Sequence, residues 1–328
     1  MRLIAASTGS FPRIGDGSQE QQLRKALASL DRQEIDLSGL KAVEEEVTRE
    51  AIALQAVAGV DLLTDGHIRW HDAVSHVMGK LQGVQVGPLS RFFDTNTYYR
   101  QPIVQEKIVW QRPLVLDEFL FAQRNAPKPV KPVLTGPCTL ARLSVNQAYG
   151  NTDELMEAIG IVIAEEVKAL AEAGAAVIQI DEPSLLQNPQ DIARLRPLLE
   201  AANRCKGTSE LALYTYFGDA APVCDELQQL PVDILGLDFT YSTNLVEILT
   251  GSGIGKKLGL GLVDGRNTRM ETEADIFPVL EALSALPGVD DCYLNPSCGL
   301  EYLPKERAVA KLKNMVGLRD KFIGGKHA

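Results

Sequence analysis

Apolar and polar positions follow two different periods along the chain, and the two periods alternate. Short apolar runs typical of buried β-strands cover 3–7, 62–64, 130–134, 177–180, 211–216, 234–239, 257–263 and 292–294. Between them, apolar residues spaced three or four apart predict α-helices over 19–30, 40–58, 114–125, 153–173, 190–203, 220–229, 273–285 and 304–320. Strands that alternate with helices imply parallel βαβ units.

Eight strands in a chain of 328 residues predict an α/β fold, a (β/α)8 TIM barrel that occupies 1–328 as one domain. A doubly wound open sheet is the alternative, but no GxGxxG sequence follows the first strand. The segment 76–112 interrupts the alternation with glycine, proline and aromatic residues. A segment of this length is usually functional, so we expect a small hairpin that covers the mouth of the barrel.

Composition narrows the class of protein. A formal net charge of −10 and a pI near 5.1 argue against a broad surface for nucleic acid or anionic membrane. No apolar run is long enough to predict a membrane span, and the N-terminus lacks the apolar core of a signal peptide. The five cysteines are odd in number and contain no CxxC pair, so reduced thiols and a cytoplasmic location are expected.

Polar residues follow every predicted strand. The chemistry of a barrel gathers at the carboxyl ends of its strands, so these residues are candidates for one common site. In chain order, the candidates are Ser10, His67, Asp181, Tyr214, Tyr216, Asp238, Arg266 and Cys298.

Five short segments also carry a family resemblance. They are TGSFPR, TDGHIRWHD, KPVLTGPCTL, IQIDEPSL and LNPSCGL, and they occur in this order over nearly the whole chain. Together they resemble the catalytic half of cobalamin-independent methionine synthase, here in a short, single-barrel form. The resemblance implies a (β/α)8 barrel with a zinc ion that binds homocysteine as a thiolate. An ordinary thiol, with a pKa of about 8.5, is mostly protonated at neutral pH, and coordination to zinc converts it to the reactive thiolate.

The resemblance implies roles for three of the candidates. Asp181 matches an aspartate that holds the ammonium group of homocysteine, and Ser10 matches a serine at the substrate carboxylate. Cys298 matches a zinc ligand. Its alternative is a small buried thiol, since free cysteine is often buried.

Other positions depart from the family pattern. Tyr214 and Tyr216 stand where the family has a His-x-Cys pair of zinc ligands, and neutral tyrosine is a poor ligand for zinc. Asp238 replaces a glutamate ligand, and His67 replaces a glutamate that holds the substrate amine. We therefore predict a rebuilt metal site of His67, Asp238 and Cys298, a set that satisfies zinc or iron. The alternative is that metal binding is lost and His67 forms a hydrogen bond with the substrate.

The methyl donor is expected to differ from folate. Leu143 stands where long family members stack the pterin ring of folate on a tryptophan. Arg266 stands where they have a histidine that helps to protonate the folate leaving group. Arginine is a poor general acid but a good clamp for carboxylate or phosphate. A methyl-corrinoid protein or another small methyl donor is the expected partner.

The sequence thus predicts a methyltransferase that converts homocysteine, or a similar thiol, to methionine. Two alternatives stay open. One is another reaction on the same barrel, such as carbon–sulfur cleavage or decarboxylation. The other is a metal-free relative that only binds a ligand, with Tyr214 and Tyr216 in place of zinc ligands.

Overall fold

A parallel sheet curved into a barrel forms the centre of the molecule. The computed structural model describes residues 1–242 and 244–325. Its strands are β1 (Arg2–Ala5), β2 (Gln82–Arg91), β3 (Tyr98–Val109), β4 (Val133–Thr135), β5 (Val145–Asn146), β6 (Val177–Asp181), β7 (Glu210–Thr215), β8 (Ile234–Asp238), β9 (Lys257–Val263) and β10 (Asp291–Pro296). Seven of them form one sheet in the order β1-β10-β9-β8-β7-β6-β4, and every neighbouring pair is parallel.

The eighth strand position closes the barrel with only two bridges. Leu62 pairs in parallel with Ala6 after β1, and Leu63 pairs in parallel with Val130 before β4. The predicted strand over 62–64 is this short because the side chain of Gln55 forms hydrogen bonds with both the N–H and the carbonyl of Thr64, at 3.0 Å each. The predicted (β/α)8 barrel is therefore confirmed, with one strand reduced to a bridge.

Helices surround the barrel. They are α1 (Gln22–Asp31), α2 (Leu37–Val57), α3 (Ser75–Met78), α4 (Leu116–Asn125), α5 (Pro137–Arg142), α6 (Thr152–Glu172), α7 (Asp191–Cys205), α8 (Cys224–Gln228), α9 (Leu245–Ser252), α10 (Glu273–Ser284) and α11 (Lys305–Gly325). The sequence predicted eight of them and missed the short helices α3, α5 and α9. In the described ranges, no helix has the length and apolar character needed to cross a membrane.

The helix α6 has a local signal in the sequence at each of its two ends. Asn151 is its N-cap, and its side chain accepts a hydrogen bond from the backbone N–H of Glu154 at 2.9 Å. At the other end the chain leaves the helix through Gly174, whose φ of +87° suits glycine. These two signals fix both ends of the helix.

The lower interior of the barrel is filled around one aromatic ring. Tyr214 points inward from β7, and its ring occupies the space next to Gly236 and Gly259 on the two following strands. A Cβ atom at either glycine would come within 2.4 Å of Tyr214, so a side chain there is excluded. The buried amine of Lys131 lies 4.8 Å from the centre of the same ring and donates to Gln179.

The segment 76–112 folds as an antiparallel hairpin of β2 and β3, and β5 adds a third, parallel strand beside β3. Its base is fixed to helix α6 by Glu166, which accepts hydrogen bonds from Trp110 Nε1 at 2.6 Å and from the backbone of Leu114 at 2.7 Å. Its tip, around Phe92 and Thr97, lies against the barrel mouth.

Candidate active site

Two neighbouring spaces lie at the mouth of the barrel. The outer one is a cleft of about 310 Å³ between the hairpin tip and the loops after β1 and after Leu63. The inner one is a chamber of about 20 Å³ that reaches the ends of β4 and β6. Five residues line both spaces and mark the junction between them: Ser10, His67, Ala73, Phe92 and Glu301. A chamber of this size holds little more than one polar head group.

His67 is held in a strained and buried position at this junction. It follows Gly66, and its φ of +51° lies in the left-handed region that residues other than glycine rarely adopt. Its side chain is 7% exposed, and Nδ1 lies 3.0 Å from the hydroxyl of Ser10. Burial lowers the pKa of His67, so the imidazole is neutral at neutral pH. Within the described part of the chain, Nε2 has no hydrogen-bond partner.

A stack of rings keeps His67 in place. Trp70 lies parallel to the imidazole, with ring centres 3.7 Å apart, and His76 stacks on the far face of Trp70 at 4.7 Å. Glu118 accepts hydrogen bonds at that end from His76 at 3.1 Å and from Lys80 at 2.9 Å. The predicted site histidine is thus positioned by packing as well as by Ser10.

Asp181 ends β6 and lines the chamber, where the sequence predicted a group for the substrate amine. Gln179 donates to its Oδ1 at 2.6 Å, and the hydroxyl of Tyr216 donates to its Oδ2 at 3.0 Å. Burial raises the pKa of Asp181 to about 6, while both hydrogen bonds oppose this rise. The carboxyl group is therefore mostly ionised at neutral pH and faces an enclosed space.

The two tyrosines on β7 lie at different depths. Tyr216 lines the chamber and contacts Asp181. Tyr214 lies one layer deeper, and its hydroxyl is 3.4 Å from Asn295 Oδ1. Because Tyr214 lines neither space, the structure places it in the barrel core and not with the predicted substrate-binding residues.

The predicted metal ligands do not converge. The thiol of Cys298 is fully buried, donates to the carbonyl of Gly299 at 3.4 Å and packs against Gly265. Asp238 accepts from the backbone and hydroxyl of Thr240 at 2.8 and 2.6 Å. Neither residue lines the cleft or the chamber, where His67 lies. Among the residues described, no group of three His, Cys, Asp or Glu side chains is arranged to hold a metal ion. The set of His67, Asp238 and Cys298 therefore does not fit zinc or iron.

Arg266, predicted as a clamp in the site, lies at its rim instead. Its guanidinium donates to the hydroxyl of Tyr241 and, at 3.0 Å, to the carbonyl of Asp94 at the hairpin tip. It also lies over the ring of Phe217 at 5.3 Å. Arg266 lines neither space, and its contacts connect the hairpin to the loop after β9. It thus holds the hairpin over the mouth.

Two charged residues complete the site. Arg13 lines the cleft; Nε donates to the carbonyl of Ile68 at 2.7 Å, and Nη2 is buried without a partner in the described ranges. Glu301 lines both spaces, and its Oε2 is also buried and unpaired there. Burial raises the pKa of Glu301 to about 7. From the sequence, Arg13 could reach an anionic substrate, with a surface position as the default expectation. Sequence reasoning did not consider Glu301, which lies three residues after Cys298, directly after the segment LNPSCGL.

A closed (β/α)8 barrel with a polar chamber and an aromatic cleft at the carboxyl ends of its strands defines an enzyme of the barrel class with a small-molecule site. The chain belongs to the cobalamin-independent synthase family: the model of that family's catalytic domain matches residues 3–320. The family predicted from the five sequence segments is therefore confirmed.

Relatives and solved structures agree with this family. The methionine synthase of Saccharolobus solfataricus is 32% identical over 315 residues, which cover 94% of this chain and 91% of that protein. The methionine synthase of Sulfurisphaera tokodaii is 31% identical over 313 residues, or 94% and 89% of the two chains.

Two solved structures share the fold. A B12-independent methionine synthase from Shewanella sp. W3-18-1, in complex with selenomethionine, has a TM-score of 0.80 at 20% identity and covers 99% of this chain and 100% of its own. A putative vitamin-B12 independent methionine synthase from Listeria monocytogenes has a TM-score of 0.76 at 18% identity, with 98% and 99% covered. At these identities the likeness concerns the fold alone.

Proposed function

We propose that this enzyme is a methyltransferase that transfers a methyl group to the thiol of homocysteine, or of a similar thiol, and forms methionine. The observation that carries the proposal is the polar chamber below an aromatic cleft, in a chain that the synthase family matches over residues 3–320. The enzyme class predicted from the sequence, a methyltransferase of the methionine synthase type, agrees with both named relatives.

The chamber suits the ammonium group of an α-amino acid. Asp181 and Glu301 present two carboxyl groups to it, and no lysine or arginine of the described residues lines it. Buried carboxylates need a partner of opposite charge, and a substrate ammonium supplies one. Since the chamber accommodates a head group only, the remainder of the amino acid lies toward the cleft.

The cleft offers two groups for the substrate carboxylate. The hydroxyl of Ser10 lies at the junction, and the unpaired Nη2 of Arg13 provides a charged donor. Guanidinium and carboxylate form strong, directed hydrogen bonds. A ligand with both an ammonium and a carboxylate therefore satisfies groups of both signs, which favours an amino acid over a simple thiol.

Transfer itself depends on positioning. The thiol must approach the methyl carbon in line with the bond that breaks, and holding both reactants in this geometry accounts for much of the rate enhancement. Neutral His67, fixed by Ser10 and Trp70, lines both spaces and is proposed to help orient the substrate there. No step is assigned to a metal, because the expected ligand set does not fit one.

The proposal for the methyl donor rests on Leu143 and Arg266 in the sequence, and the volume of the cleft agrees with it. The cleft of about 310 Å³ is lined by Phe11, Trp70, Phe92, Tyr98 and Tyr302, which form an apolar surface. A small methylated compound fits such a volume, as does the exposed methyl group of a carrier bound above it. A methyl-corrinoid protein or another small donor therefore stays the proposed partner in place of folate.

The test is methionine formation by purified enzyme from homocysteine with methylcobalamin as the soluble corrinoid probe, compared with 5-methyltetrahydrofolate and with an enzyme-free control. Mass spectrometry measures the product, and calorimetry measures homocysteine binding. Replacement of Asp181 by asparagine removes the partner of the substrate amine and is expected to lower kcat/KM about a hundredfold. Absence of homocysteine binding, together with no methionine from either donor, would overturn the proposal.

A further inference from the structure

The junction of the cleft and the chamber is where a thiol and a methyl donor would meet. Of the residues that line both spaces, only His67 and Glu301 carry side chains able to exchange a proton near neutral pH. Each also has a buried atom without a partner among the residues described, Nε2 of His67 and Oε2 of Glu301. Oε2 of ionised Glu301 can accept a proton from a substrate thiol, whereas Nε2 of His67 can do so only in the tautomer that carries its proton on Nδ1.

We propose that Glu301 is the catalytic base that removes the thiol proton of homocysteine. This inference rests on the proposed function and names a residue for its first step. Oε2 takes the proton, and the electron pair of the S–H bond stays on sulfur. Sulfur then forms a bond with the methyl carbon while the bond from that carbon to the donor breaks, and its electron pair leaves with the donor. The proton remains on Glu301 until it passes to water or to the departing donor.

The charge balance of the site favours Glu301 over His67. Proton transfer from a thiol to a carboxylate moves one negative charge from oxygen to sulfur and creates no additional charge. Transfer to imidazole would create a new pair of opposite charges in a buried space, which is costly. Burial already disfavours the charged form of His67, as the lowered pKa of this side chain shows.

The groups that face Glu301 keep it ready to accept a proton at neutral pH. Burial is the main cause that raises the pKa of Glu301 to about 7, and the charge of Asp181 adds to it. Its own backbone N–H and the hydroxyl of Tyr302 oppose this rise. Tyr216 and Cys298, the other acidic groups nearby, stay protonated because burial raises the pKa of each. A base with its pKa near the working pH is the most effective one.

The mismatch of the expected metal ligands is consistent with this role. Asp238 and Cys298 line neither space, so their side chains are not placed to contact a thiol at the junction. Glu301 lines both spaces, and its Oε2 is a buried acceptor atom without a partner among the described residues. The proposed step needs only the substrate, the donor and this carboxylate.

A donor-independent assay tests the inference directly. Methyl iodide serves as the methyl probe for homocysteine bound to the enzyme, and mass spectrometry measures the methionine formed. Replacement Glu301→Gln is expected to slow this methylation about a hundredfold, because general-base catalysis typically contributes at least that factor. Glu301→Asp keeps a carboxyl group and should retain part of the rate. The matched control is Glu281→Gln, since Glu281 is an exposed residue of α10.

Selenohomocysteine separates a base from a structural role. A selenol is already ionised at neutral pH and needs no base, so wild type and Glu301→Gln should methylate it at equal rates. With homocysteine, the wild-type rate should reach its plateau above the pKa of Glu301, whereas the variant should follow the ionisation of a free thiol near about pH 8.5. Equal homocysteine rates in the two proteins, or equal losses with both nucleophiles, would overturn the inference. Failure of wild type to bind homocysteine in calorimetry would instead overturn the proposed function.

Discussion

Replacing Tyr216 by phenylalanine tests whether an ionised Asp181 holds the substrate amine. The tyrosine hydroxyl donates to Asp181 Oδ2 at 3.0 Å, and both side chains are buried. Among the residues described, it is one of two side-chain hydrogen bonds to this carboxyl group; the other comes from Gln179 at 2.6 Å. A hydrogen bond to a charged group contributes about 1.5–3 kcal/mol, so its loss is large enough to measure.

The sign of the effect follows from the titration of Asp181. Burial raises the pKa of this group to about 6, and the Tyr216 hydrogen bond opposes the rise. Without the hydroxyl, the pKa of Asp181 rises further, because only the ionised form gains from the bond. A loss of about 1.4 kcal/mol corresponds to about one pKa unit, so the titration moves into the neutral range.

Homocysteine binding at neutral pH is therefore expected to weaken about twofold in Tyr216→Phe, because a pKa of about 7 in place of about 6 leaves about half of Asp181 ionised. Binding should recover as the pH rises toward about 8 and Asp181 ionises again. Calorimetric titrations over this pH range measure the effect. The control is Tyr149→Phe, which removes a hydroxyl that accepts from the backbone of Ile108 at 2.9 Å, at the hairpin base. A loss of affinity that is independent of pH, or no loss at all, would refute the assigned role of Asp181.

Three further changes test the fold and the site. Glu301→Gln is expected to raise the free energy of unfolding by up to about 3 kcal/mol at pH 8 and not at pH 4. The reason is that folding raises the pKa of Glu301 from 4.5 to about 7, so ionisation of the buried acid costs stability as the pH rises between these values. Equal gains at both pH values in denaturant titrations would contradict this. Gly236→Ala places a Cβ atom 2.3 Å from the ring of Tyr214 and should lower the free energy of unfolding by about 1–3 kcal/mol. In Gly251→Ala on α9 the added Cβ atom has no neighbour within 4 Å, so this change should raise the free energy of unfolding by up to about 1 kcal/mol. Thermal unfolding distinguishes the two variants. Cys298→Ala should leave the metal content of the purified protein unchanged in elemental analysis, because the thiol faces Gly265 and Gly299; loss of one zinc per chain would restore the predicted metal site.

The barrel could be predicted because its strands and helices have different periods, and both boundary signals of α6 are local. The short helices α3, α5 and α9 carry too few residues to show a helical period. The strand over 62–64 was predicted at full length because its apolar residues do not reveal that Gln55, on a preceding helix, takes the backbone groups of Thr64. That competition is a tertiary contact, and no local pattern in the sequence reports it.

The sequence indicated which polar residues follow each strand, but not how deep in the barrel each side chain lies. Tyr214 and Tyr216 are two positions apart, so a strand pattern directs both toward the barrel axis. Two residues of strand advance the chain by about 6.6 Å, which is enough to place one ring in the core and the other in the chamber. The positions of Cys298 and Glu301 depend in the same way on the turn after β10. Their side-chain directions are set by that turn, and strand alternation does not extend into it.

The distribution of unpaired groups connects the stability of the barrel to its specificity. In the ranges that the structure describes, four buried polar atoms without partners belong to side chains that line the cleft: those of Arg13, His67, Trp70 and Glu301. Each such atom costs about 1–3 kcal/mol, and the left-handed backbone of His67 adds strain. Arg13 is cationic and the ionised Asp181 lines the neighbouring chamber, so an ammonium alone or a carboxylate alone finds only one partner of opposite charge. An α-amino acid carries both charges, and its binding is therefore favoured by the same features that destabilise the empty mouth.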